Sequence, residues 1–172
     1  MAVSPGRLKV VFEALASIAV IAGIPFFFYQ QMHETDAKKV ERAMQFVAMY
    51  NEGETSTLRA KVTDPWVNFN MAEFARAGPS PAALDKLTDD IMSSSNISRA
   101  DLARLSDFYI ATLACRDRKV CDAITIDAYF KDAIHGFYCI YRRPLTETAS
   151  AMSRPSYLNR LREYAGSCVR HG

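Results

Sequence analysis

The chain has 172 residues, of which 49% are hydrophobic and 23% charged, and its formal net charge is +2. These proportions are typical of a globular protein and exclude an intrinsically disordered chain. No nucleic-acid partner is expected, because a nearly neutral chain without a long basic run lacks the positive surface that phosphate binding needs.

The segment 10–30 is the longest apolar stretch, and Glu13 is its only charged residue. A helix of this length covers the roughly 30 Å of hydrocarbon in a bilayer. We therefore predict one transmembrane helix over residues 10–30, retained as a signal anchor. A cleaved signal peptide is the alternative, but the run exceeds the about 7–15 apolar residues of such a peptide, and no A-x-A cleavage site follows.

Four residues of this predicted helix are candidates for packing against partner helices. Small side chains allow close approach in lipid, and an ionisable residue within a membrane helix often has a partner. The alternatives are that alanine and glycine are simply frequent in membrane helices and that the carboxylate extends to the interface. The four candidates are Glu13, Ala16, Ala19 and Gly23.

The charges beside the predicted helix suggest its orientation. Arg7 and Lys9 adjoin its N-terminal end, whereas the first cation after Tyr29 is Lys38. Basic residues next to a membrane helix are retained in the cytoplasm. We predict a short cytoplasmic segment, 1–9, and a periplasmic domain, 31–172, at the inner (cytoplasmic) membrane of a bacterium; an organelle membrane remains the alternative.

Residues 31–172 show helical periodicity and no sustained alternation of apolar and polar residues. The predicted fold class is therefore all-α: the transmembrane helix followed by a compact bundle of about five to six helices. Capping residues and Asp-Pro or Ser-Pro pairs predict where helices begin. The predicted starts are Thr35 or Asp36, Asp64-Pro65, Ser80-Pro81, Ser98 with Asp101 as a capping box, Asp122, and Ser153 or Ser156.

The helix that begins at Asp122 is predicted to end at Pro144, since proline lacks the N–H that a helix interior needs. Residues 144–154 are then predicted to be a loop. The aromatic side chains of this helix cannot all lie on one face of it. Most are expected in the core, and some are candidates for facing a partner. They are Tyr129, Phe130, Phe137, Tyr138 and Tyr141.

Four cysteines lie in the C-terminal half of the chain. An even number in an exported domain indicates disulfides. Cys115 and Cys121 flank the tip of a predicted helical hairpin, whose adjoining helix ends lie within bridging distance. We therefore predict the pairs Cys115–Cys121 and Cys139–Cys168, among three possible connectivities.

A zinc site is the alternative for two of these cysteines. His135 and Cys139 are four residues apart on a predicted helix, and Cys168 and His171 are three apart. Together they form H-x3-C…C-x2-H, a set of four tetrahedral ligands. A disulfide uses the same cysteines without any histidine. We therefore predict the disulfide, with no bound metal, and keep zinc as the alternative.

No catalytic motif is present: the sequence contains no G-x-S-x-G elbow, no G-x-G-x-x-G and no G-K-[ST] loop. We predict no catalytic residues, no enzymatic activity and no cofactor. The expected function is a non-catalytic, single-pass accessory or assembly subunit of a larger inner-membrane complex. Its partners would be the lipid bilayer and larger integral-membrane proteins. The alternative is a membrane-anchored ligand-binding or sensory helical module.

Overall fold

The structure is a computed structural model that describes residues 35–67, 69, 80–154 and 156–168. The predicted transmembrane segment, 10–30, lies outside these residues. Among the described residues no helix has both the length and the apolar character needed to cross a membrane. All regular structure in this part of the chain is helical, which confirms the predicted all-α class.

The chain divides into two compact units, Met1–Lys39 and Val40–Gly172. In the first, the described residues are helical, and Lys39 forms an ion pair with Asp36 at 2.9 Å. The second holds the bundle. Six helices lie within the described residues: α1 over 35–51, α2 Gly53–Val67, α3 Pro81–Ser94, α4 Arg99–Asp117, α5 Ala123–Ala151 and α6 Asn159–Ala165.

Three helices begin where their capping residues predict. The Ser80 side chain accepts from the backbone N–H of α3, and Asp122 does the same for α5. At α4, Ser98 and Asp101 form a reciprocal capping box. Each cap satisfies backbone donors that have no partner within the helix, so these starts depend on local chemistry.

The predicted helix start at Asp64-Pro65 is wrong. Pro65 lies inside α2, close to its C-terminal end at Val67. A proline there removes one hydrogen bond from the last turn only, so its cost is limited. Val62 and Trp66 are both buried, and their packing holds this turn in helical conformation.

The predicted stop at Pro144 is also wrong, because α5 continues to Ala151. The helix bends at Tyr141, whose φ of −100° and ψ of 15° are not helical. Proline at position 144 leaves the carbonyl of Ile140 without its helical donor. Thr88 Oγ1 on α3 lies 3.4 Å from that carbonyl oxygen and shares its proton with Leu84 O at 2.8 Å.

The last helix begins after both of the serines, Ser153 and Ser156, at which its start was predicted. Residues 156–158 form a turn, and α6 starts at Asn159 without a side-chain cap. Burial of Leu158 and Leu161 fixes this helix instead. The Tyr157 hydroxyl donates to Asp107 Oδ1 on α4 at 2.8 Å and anchors the preceding turn.

The core lies between α4 and α5, which pack along each other and also contact α6. α2 packs on α4, and α3 packs on α5. Of the five aromatic side chains of α5 that the sequence singles out, Phe130, Phe137, Tyr138 and Tyr141 are buried in the core and Tyr129 is exposed. The helices thus enclose one continuous apolar core, which positions the residues described next.

Candidate functional site

The four cysteines are paired as predicted. Cys115 and Cys121 close the turn between α4 and α5, with their Cα atoms 5.2 Å apart. Cys139 on α5 is bonded to Cys168 beyond α6, with a Cα–Cα distance of 5.3 Å. The second bond therefore fixes the C-terminal segment to the longest helix.

An ionic network lies next to the first disulfide. Arg116 binds Asp127 through two hydrogen bonds of 2.7 and 3.0 Å, and Tyr164 donates to the same carboxylate at 2.6 Å. Burial raises the pKa of Asp127, but the bonds from Arg116 and Tyr164 outweigh it and leave this pKa below its usual value. The network joins α4, α5 and α6, so its role is structural.

His135 lies beside the second disulfide. Its Nδ1 is 2.8 Å from the carbonyl oxygen of Ala165, and because a carbonyl only accepts, Nδ1 carries the proton. Its Nε2 lies 3.9 Å from Cys139 Sγ. The structure thus brings together His135, Cys139 and Cys168 of the alternative zinc set, whereas His171 lies outside the described residues.

The disulfide does not fit a zinc site. Zinc binds thiolates, and both sulfurs are consumed in the Cys139–Cys168 bond. Within the described part of the chain, no three or more histidine, cysteine, aspartate or glutamate side chains are grouped so as to hold a metal ion.

The most site-like feature is an open pocket of about 360 Å³ between α2 and α5, to whose lining α1 and α4 each contribute one tyrosine. Its volume lies within the range of small-molecule sites. Aromatic side chains form much of its wall, and three charged residues also line it. It is lined by Tyr50, Arg59, Ala60, Val62, Thr63, Asp64, Trp66, Tyr109, Asp132, Ala133, Gly136, Phe137, Ile140 and Tyr141.

A buried hydrogen-bonded chain supports one end of the pocket. Trp66 Nε1 donates to the Tyr141 hydroxyl at 2.7 Å, and that hydroxyl donates to Val62 O at 2.8 Å. Burial raises the pKa of Tyr141 to about 12, although the Trp66 N–H acts in the opposite direction. Tyr141 therefore stays protonated, and these polar groups are satisfied among themselves.

At the other end, the hydroxyls of Tyr50 and Tyr109 are 3.1 Å apart. Two hydroxyls carry two protons, and the bond between them uses one. Tyr109 is 1% exposed, and an unsatisfied buried donor is costly, so Tyr109 donates to Tyr50. Burial raises the pKa of Tyr109, with Tyr50 adding to the effect. The Tyr50 O–H is left to donate elsewhere.

Arg59 lies over the ring of Tyr50, with its guanidinium carbon 4.5 Å from the ring centroid. One of its N–H groups donates to Asn51 Oδ1 at 3.3 Å. Among the described residues, Arg59, Asp64 and Asp132 take part in no ion pair. The pocket thus presents one cation and two carboxylates that do not neutralise one another.

This pocket was not among the sites predicted from the sequence. Gly136 was the available signal, because glycine inside a long helix weakens it by up to about 1 kcal/mol relative to alanine. A Cβ added at Gly136 would meet no atom within 4 Å, so close packing does not require glycine there. It contributes instead to the open space of the pocket wall.

The four candidates for membrane-helix packing, Glu13, Ala16, Ala19 and Gly23, lie outside the described residues. The membrane anchor therefore remains a prediction from the sequence.

Compared with protein-family models, with curated proteins and with solved structures, the chain shows no match to any of them.

Proposed function

We propose that this chain is a membrane-anchored, non-enzymatic module whose helical domain binds a small ligand in the pocket between α2 and α5. The observation that carries the proposal is the pocket itself, about 360 Å³ in volume and lined by aromatic side chains with a few polar groups. That combination is typical of sites for small molecules.

The residues at the pocket support binding. The chain from Trp66 through Tyr141 to Val62 O holds the aromatic wall by hydrogen bonds that need no ligand. A wall fixed in this way loses little conformational entropy when a ligand enters. The charges of Arg59, Asp64 and Asp132, which lack ion-pair partners among the described residues, give the ligand polar contacts that fix its orientation.

We place this module on the periplasmic side of the inner membrane. The apolar segment 10–30 supports a single-pass anchor, and Arg7 and Lys9 support a cytoplasmic N-terminus. The two disulfides support an oxidising compartment for the domain.

The test of ligand binding uses the full chain in a mild detergent and a library of small metabolites. Gly136→Leu fills the pocket, and Gly136→Ala is its matched control. We expect at least one compound to raise the Tm of the natural protein and of the alanine variant, but not that of the leucine variant. If no compound discriminates between these proteins, ligand binding at this pocket is wrong.

The second candidate function is a non-catalytic accessory or assembly subunit of a larger inner-membrane complex. The spacing of Ala19 and Gly23 favours it, because small residues four apart let a helix approach a partner closely in lipid. Purification from native membranes in mild detergent tests it. A partner in fixed stoichiometry, lost on Gly23→Leu and kept on Val20→Leu, is expected; a chain that migrates alone contradicts the proposal.

A further inference from the structure

The pocket offers an anion site at one end, and the inference drawn from it depends on the proposed ligand-binding function. The guanidinium carbon of Arg59 lies 4.5 Å from the centroid of the Tyr50 ring, and both side chains line the pocket. Only one of its five N–H donors has a described acceptor, Asn51 Oδ1. Tyr50, whose O–H is not used by Tyr109, lines the same pocket. The planar edge of a guanidinium binds a carboxylate through two parallel hydrogen bonds.

A cation site lies in the same pocket. Asp132 on α5 is one of the lining residues, together with Tyr50 and Arg59. Asp132 is exposed and has no ion-pair partner among the described residues, and it does not pair with Arg59.

The space beyond these two charges is apolar. Phe137 and Tyr141 are buried and lie five and nine residues beyond Asp132 on α5, and Trp66 lines the same pocket from α2. Their rings suit an aromatic or large aliphatic group rather than a second polar group. Asp64 on α2 adds a second carboxylate to the lining of the pocket.

We propose that the pocket binds a zwitterionic α-amino acid with an aromatic or large apolar side chain. Its carboxylate accepts from Arg59 and Tyr50, its ammonium group donates to Asp132, and its side chain lies against Trp66 and Phe137. A ligand that carries both charges satisfies Arg59 and Asp132 together. A simple amine leaves Arg59 unpaired, and a simple acid leaves Asp132 unpaired.

Trp66 makes the test direct, because it is the single tryptophan of the chain and lines the pocket. The full chain in detergent is titrated with three probes while tryptophan fluorescence is recorded. L-Phenylalanine carries both charges, phenethylamine lacks the carboxylate, and 3-phenylpropionate lacks the ammonium group. We expect saturable binding of phenylalanine and affinities at least about tenfold weaker for the other two probes.

Two pairs of variants assign the contacts. Arg59→Gln is expected to weaken phenylalanine binding about tenfold or more, while its control Arg104→Gln, which removes a cation paired with Glu54 on the surface, leaves it unchanged. Gly136→Leu is expected to abolish binding, and Gly136→Ala to retain it. Circular dichroism establishes that each variant is folded.

Several results would overturn the inference. Equal affinity for phenethylamine and phenylalanine would mean that Arg59 binds no carboxylate, and binding unaffected by Arg59→Gln would mean the same. If phenylalanine fails to bind but a library compound still raises the Tm in a way that Gly136→Leu blocks, the ligand class is wrong and the ligand-binding function stands. If neither phenylalanine nor any compound binds, both proposals are wrong.

Discussion

Trp66 donates its indole N–H to the hydroxyl of Tyr141 over 2.7 Å, although 75 residues separate them in the chain. The Tyr141 hydroxyl in turn donates a hydrogen bond to Val62 O on α2. Both side chains are buried, at 7% and 1% exposure, and their rings meet edge to face with centroids 6.0 Å apart. This contact joins α2 to the bend of α5 and forms the end wall of the pocket.

Tyr141→Phe should lower the free energy of unfolding by about 1–3 kcal/mol, because it leaves the Trp66 N–H and the Val62 carbonyl without their partner. Denaturant unfolding followed by circular dichroism measures the change. Tyr129→Phe, at an exposed tyrosine of the same helix, is the control and should have no effect beyond error. Equal effects at the two positions would contradict the importance of the buried chain.

Ionisation of Tyr141 should also lower the free energy of unfolding at alkaline pH. Its pKa is raised to about 12 in the folded protein by burial, against about 10 when unfolded. Its contribution is therefore complete below about pH 10 and is lost as the pH rises from about 10 to 12, to a total of about 3 kcal/mol. The gap in unfolding free energy between the natural protein and Tyr141→Phe should narrow over this interval. A gap that stays constant from pH about 9 to 11 would contradict the raised pKa.

Protonation of Asp101 should account for part of the loss of unfolding free energy at acid pH. Burial raises its pKa, but hydrogen bonds from Lys61 and Ser98 outweigh that effect and lower it to about 2. Its contribution is present above its unfolded pKa of about 4 and is lost as the pH falls towards 2. Asp101→Asn should cost about 1–2 kcal/mol at neutral pH and almost nothing near pH 2.

The control for Asp101 is Asp90→Asn, at an exposed carboxylate with no ion pair among the described residues. It should leave the unfolding free energy unchanged at both pH values. Urea titrations at neutral and acid pH provide the comparison. If Asp101→Asn had the same cost at both pH values, ionisation of Asp101 would not be the source of its stabilisation.

The two disulfides should contribute unequally. Cys139 and Cys168 are 29 residues apart, and Cys115 and Cys121 only 6. In the chain-entropy model the longer loop stabilises by about 3–4 kcal/mol and the shorter by about 2. Replacing Cys139 and Cys168 together by serine should therefore lower the Tm more than the same change at Cys115 and Cys121. The reverse order, measured by calorimetry, would contradict the model.

Gly136→Ala should stabilise the protein by up to about 1 kcal/mol, because alanine favours the interior of α5 and its Cβ enters open space. Chemical unfolding of the variant against the natural protein measures this gain. A loss of stability would show that the space beside Gly136 is filled, which would also contradict an open pocket at this position.

Local chemistry decided much of the fold, and the sequence was enough to predict it. Ser80, Ser98 and Asp122 begin helices because their side chains cap the backbone N–H groups that follow within three residues. The cysteine pairs were predictable because a hairpin brings Cys115 and Cys121 together and leaves only one further pair. The class of fold followed from helical periodicity alone.

Tertiary contacts decided the rest. Pro144 lies within α5 and is buried there, and Thr88 from another helix lies 3.4 Å from the carbonyl that the proline leaves without its helical donor. The pocket depends on Tyr50 meeting Tyr109, 59 residues further along the chain. Arg59 and Asp132 face the same space for a similar reason: α2 and α5 enclose it together. Spacing along the sequence carries no information about such pairs, since the packing of whole helices sets which side chains meet.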